Sequence, residues 1–301
     1  MYYVTKIDEL LATMPPHYIS SADGYTQQRL IDRSTGSPHM SVSIAHLAQK
    51  GHVEPLLHSY EVSLYVFSGR LAVTMLGATT LLAPDHCLVI PIGTTYTLRA
   101  FDESAHWLLV TSPSELDDGR RQDTFFTNEK MEEFDAVLPD VRDPRNQHAV
   151  HFDPTSMDLA KLAAGADVNA PTTSPSMATA LLAYSGIGVK MLIDQFVGAQ
   201  LHTMFVVDYQ PTAIAHPHDH PFEETYIFIK GEVHALVDGN ELVLRPGDVL
   251  WAGVGTDHGF ENRSGGLVRW IEMQAPQPPS QHSYRFSREW EHLAHKLYGD
   301  H

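Results

Sequence analysis

The stretch HPHDHPFEETYIFIKG runs from His216 to Gly231 and holds three histidines at alternate positions, then Glu223 and Glu224. Imidazoles and a carboxylate at short, regular spacing are suited to holding a divalent cation. Alternate residues of a strand share one face, so His218 and His220 are expected to project together. Glu224 follows after a short turn and can point inward from the next strand. Further on, His258 stands three residues after Gly255 and four before Asn262, and a strand lying alongside would bring it to the same point. Three imidazoles and one carboxylate leave about two of six octahedral positions for water or substrate. Such a donor set suits manganese, iron, cobalt, nickel or zinc, and suits calcium or magnesium poorly. His216 sits one alternate position too early and is expected at the rim. Glu223 has the opposite strand parity and is expected to face solvent or an interface.

Three further residues are candidates for the chemistry beside the cation. Tyr226 shares the parity of Glu224 and could line the pocket as a proton donor. His202 and Glu272 lie on strands expected to flank it. An isolated His-x-His pair is usually a solvated loop feature. Here the reading rests on four donors and two glycine-bearing motifs agreeing with a second pattern, an in-register repeat within the chain.

Shifted by 162 residues, GRLAVTMLGATTLLAPDHCLVIPIGTTYTL (69–98) falls without a gap on GEVHALVDGNELVLRPGDVLWAGVGTDHGF (231–260). Gly69 meets Gly231, Gly77 meets Gly239, Pro84 meets Pro246 and Gly93 meets Gly255. Glycines and prolines held in register imply turns held in register. The segments between them are short, rich in β-branched and aromatic residues, and end in Gly, Asn, Asp or Pro, as in sandwiches and barrels. Asp238-Gly239 suits a two-residue hairpin, whose central residues need positive φ. The expected fold is all-β: two tandem jelly-roll barrels, residues 1–112 and 181–301, with a connector over 113–180. The connector is polar and proline-rich and is expected to be partly helical, with a helix from Ser156 to Gly165. A short helix is expected near the C-terminus, where Trp290, Leu293 and Leu297 have helical spacing suited to packing or a dimer contact.

The first copy lacks the donor set. At the positions of His218, His220, Glu224 and His258 it carries Leu56, His58, Val62 and Tyr96. The first barrel is therefore expected to be metal-free.

The composition narrows the partners. The chain has 301 residues, 43% of them hydrophobic, enough for two cores. Its formal charge of −17 argues against nucleic acid or an anionic membrane as main partner. A small-molecule substrate and a homo-oligomeric assembly are the expected partners. The single cysteine, Cys87, excludes an internal disulfide framework and a thiolate zinc site; it lies in an apolar run and reads as a core residue. MYYVTKIDELLATMPP lacks the apolar core of a signal peptide, and no stretch approaches the roughly 18 apolar residues of a membrane span. A cytoplasmic protein is expected.

His218-x-His220-x3-Glu224-x6-Gly231 and Gly255-x2-His258-x3-Asn262 resemble the two motifs of the cupin superfamily. Gly253 stands where the second motif has proline, and the first motif's initial glycine is not at its usual distance. Neither departure touches a donor. The resemblance implies tandem cupin barrels with His218, His220, Glu224 and His258 as metal ligands. Two barrels with metal in the second resemble the ureidoglycine aminohydrolase type, which uses manganese to release ammonia. That likeness implies manganese ahead of the other metals and a hydrolase or lyase acting on a small ureido or amide acid. However, that family has glutamate, histidine and glutamine at the positions of His218, Glu224 and His258. The same donors would also serve an Fe(II) dioxygenase or a cupin that binds a ligand without turnover.

Overall fold

The computed structural model describes residues 1–101, 103–116, 123–127, 129–132, 135–140, 146–157, 185–277 and 285–286. Short strands dominate, several of them buried along their whole length, and the helical elements among the described residues are single 3-10 turns. None of these is long and apolar enough to cross a membrane. Of the helix expected from Ser156 to Gly165, only Ser156 and Met157 are described, and they belong to a 3-10 turn, Pro154–Met157; the rest of that span and the expected C-terminal helix lie outside the described residues.

The chain forms two compact units, and each contains one copy of the repeat. In the first, the long strand Ser41–His58 pairs with Ala22–Ile31, Tyr96–Ala100, Ala105–Ser112 and Thr124–Phe126. Its core gathers Trp107, Leu64, Val66, Leu98 and Tyr25. Cys87 is wholly buried there.

The second unit is a two-layer jelly roll. One sheet runs in the order Tyr2–Lys6, Asp248–Ala252, Glu223–Lys230, Val268–Ala275, Thr203–Tyr209, Ile187–Ile193. The other runs Asn240–Leu244, Val233–Val237, His258–Glu261, Ile214–Asp219, Arg285–Phe286. Tyr226, Phe228, Phe260, Trp270 and Tyr209 pack between the layers, with Phe260 and Trp270 rings 5.2 Å apart. Aromatic groups of this size fill a small barrel and hold its two sheets in one register.

The repeat survives in backbone detail. Leu76-Gly77 and Asp238-Gly239 both adopt positive φ between paired strands, the twist that a tight hairpin needs. At Gly69 and Gly231 φ is +76°, and an added Cβ would lie 2.0 Å from Ser104 O or 2.6 Å from Leu267 O. The Gly93 N–H donates to His58 O and the Gly255 N–H to His220 O, at 2.9 and 3.0 Å. One strand departs from the division at residue 112. Tyr2–Lys6 pairs with Asp248–Ala252 and so belongs to the second unit. Gly253 donates its N–H to Met1 O at 3.0 Å. Proline, expected there from the motif, has no N–H to give, whereas the first copy keeps Pro91 at the equivalent position.

Candidate metal centre

The four expected donors meet between the layers. His218 lies on Ile214–Asp219 directly opposite His258 on His258–Glu261, and the pairing slips by a bulge between Ala215 and His218. Gly259 makes this slip feasible. A Cβ there would lie 2.8 Å from both Ala215 O and Pro217 N, so a side chain would push the bulged strand away. His220 stands just beyond the strand, its ring stacked on Phe222 at 4.0 Å and 7°. Glu224 comes from the opposite sheet.

The ring nitrogens of His218, His220 and His258 lie within 4.8 Å of one another. Each imidazole presents its Nδ1 to a backbone carbonyl: His218 to His216 O at 2.8 Å, His220 to Phe222 O at 2.8 Å, His258 to Thr256 O at 2.9 Å. Donation from Nδ1–H sets the tautomer and leaves the Nε2 lone pair for the centre. Glu224 Oε2 lies 2.9 Å from His220 Nε2 and 3.0 Å from His258 Nε2. Lone pairs meeting this closely need a positive charge between them, a proton or a cation. The donor set thus fits a divalent transition metal.

The electrostatics agree. Burial alone would raise the Glu224 pKa, but His220 and His258 draw it well below the usual carboxylate range. Burial lowers that of His258, and Glu224 more than offsets this and raises it. For His218, burial and the neighbouring His258 push the pKa down to about 3, so its ring is neutral with a lone pair to donate. All four residues are buried; His218, at 8%, is the most exposed.

The three further candidates differ in placement. The Tyr226 hydroxyl donates to Glu224 Oε2 and lies 2.9 Å from His258 Nε2, against the donor cluster. Glu272 accepts from Trp270 Nε1 at 2.9 Å and lies 3.5 Å from Gln274 Nε2. Burial and the Glu224 charge raise its pKa well above the usual range, which favours its protonated form. His202 is fully buried immediately ahead of Thr203–Tyr209.

Glu223 does not face solvent. It is 0% exposed, on the sheet face opposite to Glu224 as its parity requires. Its counterpart Glu61 shows how a buried carboxylate at this position can be satisfied: it accepts the backbone N–H groups of Gln200 and Leu201 at 2.7 and 3.1 Å. His216 is half-buried, and its carbonyl supports His218. Asn262 holds a turn, donating to Tyr209 O, Gln210 O and Gly266 O at 2.8–3.1 Å. Gln274, whose amide reaches Glu224 Oε1 at 2.6 Å, was not anticipated. Its same-face spacing with Glu272 was the available signal.

Residues 205–273 match the sequence family described as Cupin domain, a span that contains all four donors. No curated protein matches the chain by sequence. Among solved structures, the oxalate decarboxylase of Bacillus subtilis at pH 4.6 superposes with a TM-score of 0.62 at 16% identity, covering 99% of this chain and 83% of that one. The Lactobacillus farciminis oxalate decarboxylase in its formate complex gives 0.63 at 14%, covering 99% and 94%. Another Bacillus subtilis oxalate decarboxylase structure, reported with Mn(II) centres, gives 0.62 at 14%, covering 99% and 84%. The fold is therefore that of tandem cupin barrels, with a cupin domain in the second.

Proposed function

We propose that the second barrel is the catalytic centre of a metal-dependent enzyme, a hydrolase or lyase acting on a small polar molecule. One divalent transition metal, manganese foremost, would be held by His218, His220, Glu224 and His258. The observation that carries this reading is the shared tautomer: three buried imidazoles with Nδ1 tied to carbonyls and ring nitrogens clustered within 4.8 Å, two of them with Nε2 against Glu224 Oε2. The Mn(II) centres named for a structurally similar oxalate decarboxylase support the choice of metal. When bound, the cation would polarise a carbonyl or lower the pKa of a water.

The surrounding side chains supply the rest. Three neutral rings and one carboxylate would leave a net positive centre able to orient a carbonyl or carboxylate. Tyr226 holds a proton within reach of the same point and is the first candidate for proton transfer. Glu272, whose pKa burial and the Glu224 charge raise and which Trp270 anchors, is a second. His202, buried just ahead of Thr203–Tyr209, is a third. The resemblance in sequence favours a ureido or amide acid as substrate, and the resemblance in fold adds oxalate to the set worth testing.

The test is turnover by manganese-loaded protein on ureido acids, amide acids and oxalate, with ammonia, carbon dioxide and dissolved oxygen followed together. Release of ammonia or carbon dioxide without net oxygen uptake supports the proposal. Oxygen consumption would assign a dioxygenase, and tight binding without product a ligand-holding cupin.

A further inference from the structure

Glu224 has two oxygens in different surroundings. Oε2 faces His220 and His258 at 2.9 and 3.0 Å. Oε1 accepts a hydrogen bond from Gln274 Nε2 at 2.6 Å. The two residues sit directly opposite each other on neighbouring strands, Glu224 on Glu223–Lys230 and Gln274 on Val268–Ala275. Cross-strand partners project to the same face, so this meeting follows from the register of the sheet.

The orientation of the Gln274 amide is determined by its neighbours. Its carbonyl oxygen accepts from Thr203 Oγ1 at 3.4 Å, and its nitrogen lies between Glu224 Oε1 and Glu272 Oε1, the latter at 3.5 Å. The reverse orientation would set a carbonyl oxygen against a carboxylate, two acceptors with no hydrogen between them. Gln274 is 0% exposed and Glu224 1%, so bulk water is excluded from this contact. A short bond to a charged acceptor in such surroundings is among the stronger hydrogen bonds in proteins.

We infer that Gln274 is a positioning residue, which occupies Glu224 Oε1 and so makes Glu224 a single-oxygen ligand through Oε2. The inference rests on the proposed metal centre. With Oε1 held, the carboxylate cannot swing to chelate through both oxygens, and the remaining positions stay open for substrate. A residue that merely filled space between strands would have no effect on how the carboxylate binds.

The test is a Mn(II) titration of the metal-stripped full-length chain, followed by electron paramagnetic resonance, for the wild type and for Gln274→Met, Gln274→Asn and His258→Ala. Methionine keeps the volume and removes the donor; asparagine keeps the donor and withdraws it from reach. The wild type is expected to hold one Mn(II) and His258→Ala none. Both Gln274 variants are expected to bind roughly ten- to a hundredfold more weakly, with a changed zero-field splitting as Glu224 alters its mode. Wild-type affinity and unchanged splitting in a folded Gln274 variant would overturn the inference while leaving the metal centre standing. Thermal melting of the stripped proteins identifies a variant that fails to fold, in which case the other decides. A wild type without bound Mn(II), or His258→Ala with full binding, would overturn the metal centre itself and the inference with it.

Discussion

Two barrels with the same turns differ in what their inner positions do. At the place of His220 the first barrel keeps a histidine, His58, yet both its ring nitrogens face side chains. Nε2 meets the Tyr96 hydroxyl at 2.8 Å and Nδ1 meets Thr124 Oγ1 at 2.9 Å. Tyr96 stands where the second barrel has His258, and Leu56 and Val62 take the places of His218 and Glu224. Tyr18, Tyr25, Tyr60 and Trp107 help fill the surrounding space and leave a cavity of about 10 Å³, room for about one water. In the second barrel His218, His220 and His258 each give Nδ1 to a backbone carbonyl, and the Nε2 atoms of His220 and His258 meet a carboxylate, Glu224. Where the second nitrogen goes decides whether a buried histidine is part of the packing or a ligand. Duplication preserved the strand register and left this choice to a few side chains.

Tests of the contrast begin with what the barrels share. At Gly69 and Gly231 positive φ coincides with a carbonyl where a Cβ would stand. Gly69→Ala and Gly231→Ala should each destabilise their own unit by about 3 kcal/mol, measured by urea unfolding with a probe in each barrel. Equal, negligible losses would show that the turns relax freely and that the repeat does not depend on them.

A second test separates the barrels. Manganese at about 100 times its Kd should stabilise the second unit by about 2.7 kcal/mol and leave the unfolding of the first unchanged. The shift should vanish on chelation. Stabilisation of the first unit instead would reverse the assignment.

The third effect is absent at neutral pH and concerns His58 in acid. Burial, followed by the neighbouring His17, lowers its pKa from 6.5 to about 3. The folded state therefore resists a proton that the unfolded chain accepts. The stability this histidine contributes is complete above pH 6.5 and is lost as pH falls toward about 3, at up to about 1.4 kcal/mol per pH unit. His58→Asn keeps hydrogen-bonding capacity without titrating. It should flatten the acid limb of the stability curve by about that slope and leave metal content unchanged. An unaltered slope would mean that His58 does not stay neutral in the folded barrel.

The sequence made the repeat and the donor spacing legible because both are carried by local signals. Glycines with positive φ and hairpin pairs such as Asp238-Gly239 leave marks at fixed intervals, and strand alternation sets which neighbours share a face. Gln274 was not legible as a partner of Glu224. The two lie 50 residues apart, and only the pairing of Glu223–Lys230 with Val268–Ala275 brings them together. Glu223 shows the limit of parity: alternation assigned it to the other face but could not reveal that this face is covered. The membership of Tyr2–Lys6 in the second unit depends on a pairing across more than 240 residues, beyond any local pattern. The carbonyls of His216, Phe222 and Thr256 that orient the imidazoles are backbone groups, and residue types do not reveal their direction.

The central claim is that the second barrel alone holds a metal, through His218, His220, Glu224 and His258. The most direct measurement is elemental analysis of full-length protein stripped, reloaded with Mn(II) and freed of excess ion, comparing the wild type with His258→Ala and His58→Ala. The account predicts one ion per chain in the wild type and in His58→Ala, and none in His258→Ala, with the strand signal in circular dichroism retained throughout. Full occupancy in His258→Ala, or a loss of the ion in His58→Ala, would contradict it.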